Sequence, residues 1–488
     1  MWFEQQLELI EGVRSDDGEI LNLAGWRTVG YKETDHDVII FAALTTGLVV
    51  PCGCGTAASR FHKWGFPKMS CFHDLPIRQK RTRVYFQKQR YHCPGCGKTA
   101  QQPMAGLEEG RSITARLAEY IRREGLSIFR TVSDIADEVG YGEQSVRNLL
   151  TEHAVRLEKL RRIEPPVWLA VDEVYIANKA HCVITDPRRR RVLDLLPGND
   201  RMILGKWLLH LPDRHAVQVV TMDFWPPYFS VIRQVLPGAE VVIDRFHVHN
   251  LLNHALKGVL QAARDGMTYS EQRKHMRDPL LLLTSRFHLR GEPERGKTLS
   301  QQETVDRWLA EVPILSAAYW LKEDFSDILQ LGDRRKAEDL TDRWLARVYD
   351  FVEAFGATSW DKCEGRKQCP FSNIPTTINK WRPSVLNYID YKKRLNLKAG
   401  NSFAEHVNGK IKAAKALSHN CSYETIRVKL VHGGVMVSRR PPHPLDRQQK
   451  RSASKAVIRP IDSREETDRA ANLDRLTKAR EDQDRTKG

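Results

Sequence analysis

The sequence predicts a multidomain α/β protein, and three observations lead to that class. Three apolar, β-branched runs each carry an Asp at or near the C-terminal end, which is the edge where open α/β sheets place their sites. Two pairs of cysteines mark a β-rich region before these runs, and a stretch with helical hydrophobic period separates the two parts. A chain of 488 residues is long enough for roughly three domains.

Each of the three runs has the nearly continuous apolar character of a strand buried on both faces. They are residues 167–176 with Asp172, residues 216–223 with Asp223, and residues 240–247 with Asp244. An ionised carboxylate in such a strand is costly unless a cation balances it. Strands also end in Asp because turns favour this residue. Because three successive runs show the pattern, we interpret their carboxylates as one site.

The composition favours a nucleic-acid partner. The net charge of +16 and the pI near 9.4 attract polyanions, and a hydrophobic content of 41% is enough for a packed core. The first residues, Met1 to Gln6, lack the regions of a signal peptide, and the longest apolar stretch, residues 38–50, is too short and too rich in Thr to span a bilayer. We expect a cytoplasmic, nucleoid-associated protein without a membrane partner.

Residues 1–106 are expected to form a small β-rich domain around a metal ion. Strands are predicted over residues 37–44 and 81–91. Two Gly-bearing turns supply four candidate ligands, which are Cys52, Cys54, Cys93 and Cys96. Paired thiolates of this kind hold one structural Zn²⁺ in tetrahedral geometry. The first pair has one intervening residue where two is usual, so a histidine or another cysteine is able to replace a ligand. The candidates for that replacement are His62, Cys71, His73 and His92. Scattered buried thiols without metal are the alternative.

Residues 132–150 predict a helix, a glycine turn and a second helix. The small Ala136 lets the helices approach, and Gly140 supplies the turn. The second helix, from about Gly142 to Leu150, is then free to enter a major groove of DNA. Its candidate DNA contacts are Ser145, Arg147 and Asn148. Any αα-hairpin shows the same pattern, so DNA recognition is a hypothesis at this point.

A second group of strands follows the break at residues 164–166. The strand of Asp172 is followed by predicted strands over residues 180–186 and 192–197, which complete an antiparallel meander. A helix over residues 201–211 and the strand of Asp223 come next. Three meandering strands, a helix and another strand are the order of a ribonuclease-H-like sheet.

The pattern is helical for about 150 residues after His247. Five tryptophans are spread through this part, which suggests a packed helical insertion rather than a linker. They are Trp308, Trp320, Trp344, Trp360 and Trp381. We expect their rings in the core; stacking on unpaired bases is the alternative.

Residues 401–415 combine a carboxylate with basic side chains. Glu405 is the candidate third carboxylate, and the candidate phosphate contacts are Lys410, Lys412 and Lys415. A structural alternative exists for Glu405, because Ser402 as an N-cap would put Glu405 at the capping-box position.

Asp172 and Asp223 on adjacent strands, with Glu405 on a later helix, offer hard oxygen ligands to two divalent ions. Mg²⁺ (or Mn²⁺) prefers such carboxylates. In a two-metal site one ion activates water or a 3′-hydroxyl and the other stabilises the leaving oxygen of an in-line displacement. The pattern therefore indicates phosphoryl transfer on nucleic acid.

At these positions the sequence resembles the DDE transposases of bacterial insertion sequences, most closely the ISL3 group. The resemblance covers nearly all of residues 35–435. Its most specific parts are Val171-Asp172-Glu173, Asp223, Asp244-Arg245-Phe246-His247 and residues 401–415. It implies that Asp172, Asp223 and Glu405 form the metal-binding catalytic triad. It also implies that Asp244 and His247 form an accessory D-x-x-H element. Because Glu173 adjoins Asp172, the leading carboxylate of this pair is inferred from the pattern.

The resemblance implies a protein that binds the terminal inverted repeats of its element as double-stranded DNA, acts as a homo-oligomer on that DNA, and cleaves and transfers strands. Two other functions stay open. One is a metal-dependent nuclease of ribonuclease-H type, against which the zinc segment and the helix-turn-helix count. The other is a catalytically silent DNA-binding regulator derived from a transposase, against which three intact carboxylates count.

The predicted division of the chain follows from these features. The parts are a zinc-binding N-terminal domain (1–106), a helix-turn-helix domain (107–163), the first part of a ribonuclease-H-like catalytic domain (164–254), an all-helical insertion (255–398), the last helices of the catalytic domain (399–437) and a charged tail (438–488), expected to be disordered or partly helical.

Overall fold

Two five-stranded β-sheets organise the chain, one in each of two compact units. The computed structural model describes residues 20–45, 52–101, 104–265, 279–293, 298–357, 368–394, 397–417 and 422–433. The first unit holds the described residues up to Arg162 and those from Asn408 onward, and the second holds those from Ile163 to Val407. The predicted tail, residues 438–488, lies outside the described residues.

The first sheet is built from the alternating apolar residues of the N-terminal region. Its strands are β1 (Trp26–Glu33), β2 (Asp37–Leu44), β3 (His62–Ile77), β4 (Lys80–His92) and β5 (Thr99–Gln101). Their order is β1-β2-β4-β3, and β5 pairs with β4. Because successive residues of a strand point to opposite faces, Ile40, Val84 and Phe86 enter one buried core. The strands predicted over residues 37–44 and 81–91 are confirmed.

Three helices follow this sheet: α1 (Ala115–Gly125), α2 (Val132–Val139) and α3 (Glu143–Leu160). α2 begins with a capping box between Thr131 and Asp134 and ends at Gly140. The φ of Gly140 is 67°, a left-handed conformation that glycine adopts without strain. The predicted helix, turn and helix are therefore present, and α3 continues past the expected Leu150 because no Gly or Pro interrupts it.

The buried carboxylate of Asp74 joins β3 to α1. Asp74 accepts hydrogen bonds from Thr114 Oγ1 at 2.7 Å and from Arg116 Nε at 2.8 Å. Thr114 is also the N-cap of α1, since its Oγ1 accepts from the Leu117 N–H at 3.2 Å. A buried carboxylate is stable only with partners of this kind, so these contacts fix the helix on the sheet.

The last described helix, α12 (Tyr423–His432), belongs to the first unit. Glu158 on α3 contacts Arg427 Nη1 at 3.0 Å and His432 Nε2 at 2.7 Å. Lys429 donates to the backbone carbonyl of Arg130. These contacts join residues that are more than 250 positions apart in the sequence, and local sequence patterns do not reveal them.

The second sheet combines an antiparallel meander with two parallel strands. Its members are β6 (Trp168–Ile176), β7 (Lys179–Asp186), β8 (Arg191–Leu195), β9 (Val219–Met222) and β10 (Glu240–Ile243). Their order is β10-β9-β6-β7-β8. β7 runs antiparallel to both of its neighbours, β6 and β8, and β9 and β10 run parallel to β6. The predicted succession of a meander, a helix and a further strand is observed.

Two of the predicted strands differ in detail. Ala216 closes a short 3-10 turn (Arg214–Ala216), so β9 begins only at Val219. Asp172 lies in the middle of β6 and not near its end, because β6 continues in its hairpin with β7 after its pairing with β9 stops at Ala170.

Helices surround and extend this sheet. They are α4 (Arg201–Leu209), α5 (Pro226–Val235), α6 (Arg245–Asp265), α7 (Gln301–Glu311), α8 (Pro313–Gln330), α9 (Arg334–Ala357), α10 (Ile374–Arg394) and α11 (Leu397–Leu417), of which the last crosses from the second unit into the first. Two further 3-10 turns span Pro279–Leu283 and Arg286–His288. The buried residues of the sheet and of α6–α10 form one hydrophobic core.

The tryptophans of the helical part lie mainly in this core, as predicted. Trp308, Trp344 and Trp381 are buried, and Trp320 is half-buried against the same core. Trp360 lies outside the described residues. The indole N–H of Trp344 donates to the Leu321 carbonyl at 2.8 Å, which satisfies the polar atom of a buried ring. Within the described part of the chain, no helix combines the length and the hydropathy that a bilayer crossing requires.

Candidate active site and cysteine cluster

Three aspartates occupy the same level of three neighbouring strands. Ala170 on β6 pairs with Thr221 on β9, and Ile243 on β10 pairs with Met222. Continuing this register places Asp172, Asp223 and Asp244 side by side, on one face of the sheet, since paired residues of parallel strands share a face. The Asp244 N–H donates to the Met222 carbonyl at 2.8 Å, which extends the ladder to this level.

His247 lies close to this row of carboxylates. It lies in the first turn of α6, and its Nε2 is 3.8 Å from Asp172 Oδ1. Asp244 directly precedes α6, and its Oδ1 accepts the N–H of Phe246 at 2.8 Å, which is the geometry of an N-cap. The D-x-x-H element therefore uses the start of one helix to bring an imidazole to a carboxylate on another strand.

Asp223 is held in an environment that disfavours its charge. Burial raises its pKa above the ordinary value, and the nearby carboxylates of Asp172 and Glu173 raise it further, while His247 lowers it. Its Oδ1 is buried and has no hydrogen-bond partner. A buried carboxylate oxygen without a donor is costly unless a cation meets it.

Asp244 shows the same effect. Burial raises its pKa to about 6, and the charges of Asp172 and Glu405 add to the rise, against the Phe246 N–H and His247, which lower it. The charges of Asp172 and Glu405 therefore both act on Asp244.

Glu405 reaches this cluster from α11. The helix begins at Leu397, so Ser402 lies inside it. The alternative in which Ser402 caps the helix and Glu405 completes a capping box is therefore wrong, because a capping residue must precede the first turn. Phe403 and Val407 are buried on α11, and Glu405 is exposed between them.

Asp172 and its neighbour Glu173 have separate roles in the structure. Adjacent residues of a strand point to opposite faces. Asp172 lies beside His247, whereas Glu173 accepts a hydrogen bond from Asn199 Nδ2 at 2.5 Å. This partner for Glu173, which the sequence patterns did not indicate, distinguishes the two carboxylates.

The cluster suits hard divalent cations. Its donors are carboxylate oxygens, which Mg²⁺ and Mn²⁺ prefer. Asp223 supplies a buried oxygen without a partner, and the pKa values of Asp223 and Asp244 are raised in part by neighbouring carboxylates. A bound cation would remove both costs, because it supplies the missing partner and offsets the repulsion.

Four cysteines meet at the end of the first sheet. One ligand atom from each of Cys52, Cys54, Cys93 and Cys96 lies within 4.8 Å of all the others. The sulfur of Cys52 is 3.4 Å from that of Cys96, and the sulfur of Cys54 is 3.7 Å from that of Cys93. A tetrahedral Zn²⁺ with bonds of about 2.3 Å separates its thiolates by about 3.8 Å. The cluster therefore matches the size of a zinc site.

Backbone hydrogen bonds shape the two turns that carry these cysteines. The Gly55 N–H donates to the Cys52 carbonyl at 2.9 Å, and the Gly97 N–H donates to the Cys93 carbonyl at 3.0 Å. The hydroxyl of Thr56 is 3.2 Å from Cys54 Sγ, and it lowers the pKa of that thiol to about 6. Among the described residues, the group of four cysteines includes none of the alternative ligands that the sequence offered. Those alternatives are His62, Cys71, His73 and His92.

The predicted DNA contacts of α3 differ in accessibility. Arg147 and Asn148 are exposed, and Ser145 is half-buried. Arg147 pairs with Glu143 at 2.5 Å, and Asn148 accepts a hydrogen bond from Gln144 at 2.9 Å. A phosphate would have to compete with Glu143 for the Arg147 guanidinium.

The three lysines that follow Glu405 are not equivalent. Lys412 and Lys415 are exposed. Lys410 is half-buried, with its ammonium 5.8 Å from the ring centre of Phe129, and burial lowers its pKa. The side chain of Lys410 thus packs in part against Phe129, a contact that its spacing in the sequence did not indicate.

Two exposed aromatic residues, which the sequence patterns did not indicate, follow the carboxylates in the chain. Trp225 is 41% exposed and follows Asp223 by two positions, and Phe246 is 44% exposed and follows Asp244 by two positions. An aromatic residue two positions after a strand-end carboxylate was the available signal.

Residues 169–419, which contain the whole carboxylate cluster, match the model of the ISL3-type DDE family whose description is "Transposase". The match covers just over half of the chain. The chain belongs to the ISL3 family of insertion-sequence DDE transposases. The resemblance that the sequence motifs indicated is confirmed.

A named relative is consistent with this membership. The chain is 27% identical over 241 residues to the transposase for insertion sequence element IS1001 of Bordetella parapertussis. The aligned part covers 46% of this chain and 57% of that protein. The chain therefore matches a little over half the length of this relative.

Proposed function

We propose that this protein binds the terminal inverted repeats of its own insertion sequence and performs metal-dependent strand cleavage and strand transfer there. The observation that carries the proposal is the row of Asp172, Asp223 and Asp244 at one level of the sheet, with Glu405 close enough to raise the pKa of Asp244. The row lies inside the segment that matches the transposase family. Clustered carboxylates that disfavour one another's charge suit the binding of cations.

Asp172, Asp223 and Glu405 are proposed as the ligands of two Mg²⁺ or Mn²⁺ ions. When bound, such ions activate an attacking water or 3′-hydroxyl and neutralise charge on the leaving oxygen. The strand register holds the backbones of Asp172 and Asp223 at one level of the sheet, which supports their role as neighbouring ligands. Asp244 and His247 are accessory: Asp244 caps α6, and this position keeps His247 within 3.8 Å of Asp172.

The strand order supports a ribonuclease-H-like catalytic domain. A three-stranded meander with two further strands parallel to its first member is the arrangement of that fold, and β6–β10 have it. We propose these domain limits: zinc-binding (1–106), helix-turn-helix (107–163), catalytic (164–254 and 399–437), helical insertion (255–398) and tail (438–488). Of the segment 399–437, the described residues from Asn408 onward belong to the first compact unit.

The first unit is proposed to recognise DNA. One structural Zn²⁺ on Cys52, Cys54, Cys93 and Cys96 would hold the two turns together, as thiolate sites do in small domains with limited cores. The helix α3 would contact a major groove through Ser145, Arg147 and Asn148. The basic residues after Glu405 would contact phosphates, and they are Lys410, Lys412 and Lys415. A homo-oligomer on paired DNA ends is part of the proposal.

A cleavage assay on the element's own ends tests the catalytic part. The substrate is a labelled duplex with the terminal repeat, incubated with Mg²⁺ or Mn²⁺, and binding is measured on the same preparations. The variants are Asp172→Asn, Asp223→Asn and Glu405→Gln, which remove charge and keep shape. We expect each to abolish cleavage and to retain binding, since losing one ligand misplaces a metal.

Glu240→Gln is the matched control. Glu240 is an exposed acidic residue at the start of β10, the opposite end from the site, and we expect wild-type cleavage from it. Wild-type cleavage by Glu405→Gln would remove Glu405 from the triad and make Asp244 the next candidate. Cleavage of RNA–DNA hybrids in place of the element's ends would indicate a ribonuclease. Specific binding by the wild type without any cleavage would indicate a silent regulator.

A further inference from the structure

The hairpin of β3 and β4 extends past the sheet that supports it. β2 pairs with β4 only from Arg81 to Tyr85. Beyond that point β4 keeps β3 as a partner as far as the pair of His62 and His92, with a shift of register between Trp64 and Lys68, and the short β5 pairs only with the last residues of β4. The distal part of the hairpin is thus a narrow β-ribbon next to the cysteine cluster.

One face of this ribbon changes its chemistry where the core ends. Val84 and Phe86 point into the buried core of the first unit. By the two-residue period of a strand, the next positions on that face of β4 are Lys88, Arg90 and His92. Their partners on β3 are Lys68, Trp64 and His62, and opposed residues of an antiparallel pair share a face. The face of β4 that is apolar at Val84 and Phe86 therefore carries basic and aromatic side chains in its distal part.

The ribbon carries a concentrated positive charge. Between Asp37 and Glu108 the sequence has one acidic residue, Asp74, and its buried carboxylate is bound to Thr114 and Arg116. Lys68 and Arg90 are exposed and Lys88 is half-buried. No carboxylate among the described residues lies within 4.0 Å of these three cations, whereas Arg78 and Lys80 at the other end of the hairpin pair with Glu33.

Trp64 adds a flat surface between these charges. Its ring stacks on His92, with centroids 4.7 Å apart and planes at 25°. The residue is nevertheless 53% exposed. An exposed indole supported from below by a second ring, with lysine and arginine neighbours on the same face, is suited to a polyanion that also has apolar groups, as nucleic acid does.

We propose that the distal face of the β3–β4 ribbon, formed by Trp64, Lys68, Lys88, Arg90 and His92, is a second contact surface for double-stranded DNA. The major groove admits a two-stranded ribbon, which the hairpin is at Lys68 and Lys88, before β5 joins it at Arg90. The three cations bind phosphates, and the Trp64–His92 stack packs against sugar and base edges. The inference rests on the proposed function, because it takes duplex DNA as the partner.

The test is the salt dependence of binding by the full-length protein. The variant K68Q/K88Q/R90Q is compared with wild type on a labelled duplex that carries the element's end, across a range of NaCl concentrations. Each phosphate contact contributes about 0.9 to the slope of log K against log salt. We expect the slope to fall by about 2.7 for three lost contacts, with weaker binding at every salt concentration.

Two further variants give the measurement its controls. R78Q/K80Q removes cations at the opposite end of the same hairpin, where Glu33 already neutralises them, and it should leave the slope unchanged. Trp64→Ala should weaken binding while keeping the slope, because the indole carries no charge. Zinc content and circular dichroism verify that each variant is folded.

The outcomes separate this inference from the proposed function. If wild type binds the duplex and the triple variant keeps the wild-type slope, the ribbon surface is wrong and the proposed function stands. If R78Q/K80Q lowers the slope as much as the triple variant does, the slope reports the net charge of the protein rather than contacts of this surface. The ribbon inference then fails. If wild type does not bind the element's ends, both proposals fail.

Discussion

Glu158 is expected to fix α12 on α3 through charge, and Glu158→Gln removes that charge at nearly constant shape. The carboxylate contacts Arg427 and His432 on α12 and Arg161 on its own helix. Although partial burial raises its pKa, the hydrogen bonds from His432 and Arg427 and the nearby guanidinium charges lower it to about 2, from the usual 4.5. In the variant, an amide NH₂ would face these cationic donors.

The size of the effect follows from the pKa. One pKa unit corresponds to about 1.4 kcal/mol, so the drop from 4.5 to about 2 sets an upper limit of about 3 kcal/mol. The side chain is 33% exposed, and solvent screening reduces this to about 1–2 kcal/mol. For a unit of 150–250 residues, each kcal/mol lowers the melting temperature by about 2–4 °C. We therefore expect a fall of about 2–8 °C at pH 7.

The pH dependence has a defined sign. The pKa of Glu158 is lower in the folded state, so its contribution to stability is complete above the unfolded value of 4.5 and is lost as the pH falls toward 2. The difference in melting temperature between wild type and Glu158→Gln should therefore shrink below pH 4.5. Hydrogen exchange of the α12 amides at pH 7 should increase in the variant, because α12 loses its anchor.

Glu152→Gln is the matched control on the same helix. Glu152 pairs with Arg111, but its side chain is 66% exposed, and such surface pairs contribute little. We expect its melting temperature to change by much less. The anchoring role of Glu158 is refuted if Glu158→Gln has the melting temperature of the wild type at pH 7. It is also refuted if the difference in melting temperature is the same at pH 3 as at pH 7.

Four shorter predictions concern the other parts of the protein. Asp244→Asn should raise the melting temperature in EDTA at pH 7.5, because burial and neighbouring carboxylates disfavour the ionised side chain; a fall in calorimetry would contradict the clustering. Cys93→Ser should reduce the zinc content from about one ion per chain, as measured by metal analysis. Gly140→Ala should destabilise the first unit by about 1 kcal/mol or more, since the residue has φ 67° and a Cβ would lie 2.8 Å from Arg81 Cδ; chemical denaturation measures this. Arg147→Ala should weaken binding to the element's ends by about 1–3 kcal/mol if it contacts a base edge, and an unchanged footprint would place recognition elsewhere.

Local patterns in the sequence were enough for most of the elements. The β-branched apolar runs predicted β6, β9 and β10, because such side chains favour extended backbone and burial. Gly140 predicted the turn between α2 and α3, because glycine adopts positive φ without strain. The motif around Asp172, Asp223 and Glu405 was sufficient to identify the transposase family.

Side-chain direction and helix limits were harder to predict. Periodicity placed Asp172 and Glu173 in one strand, but only the pairing of β6 with its neighbours decides which of the two lies beside His247. Serine is a favoured N-cap residue, yet α11 starts at Leu397, five residues before Ser402. The preference of one residue for a helix end is weak compared with the packing of a whole helix face.

The sequence by itself determined the strands of the second sheet, two strands of the first sheet (β2 and β4), the cysteine pairs, the glycine turn and the family. Tertiary structure alone decided that Asp172, Asp223 and Asp244 share one level of a sheet, that Glu158 meets Arg427 and His432, and that an apolar strand face becomes basic at its distal end. The physical reason is the range of the forces involved. Backbone preference and side-chain period act over a few residues, whereas strand register and ion pairing between distant segments are fixed only when hydrophobic burial closes the long loops between them.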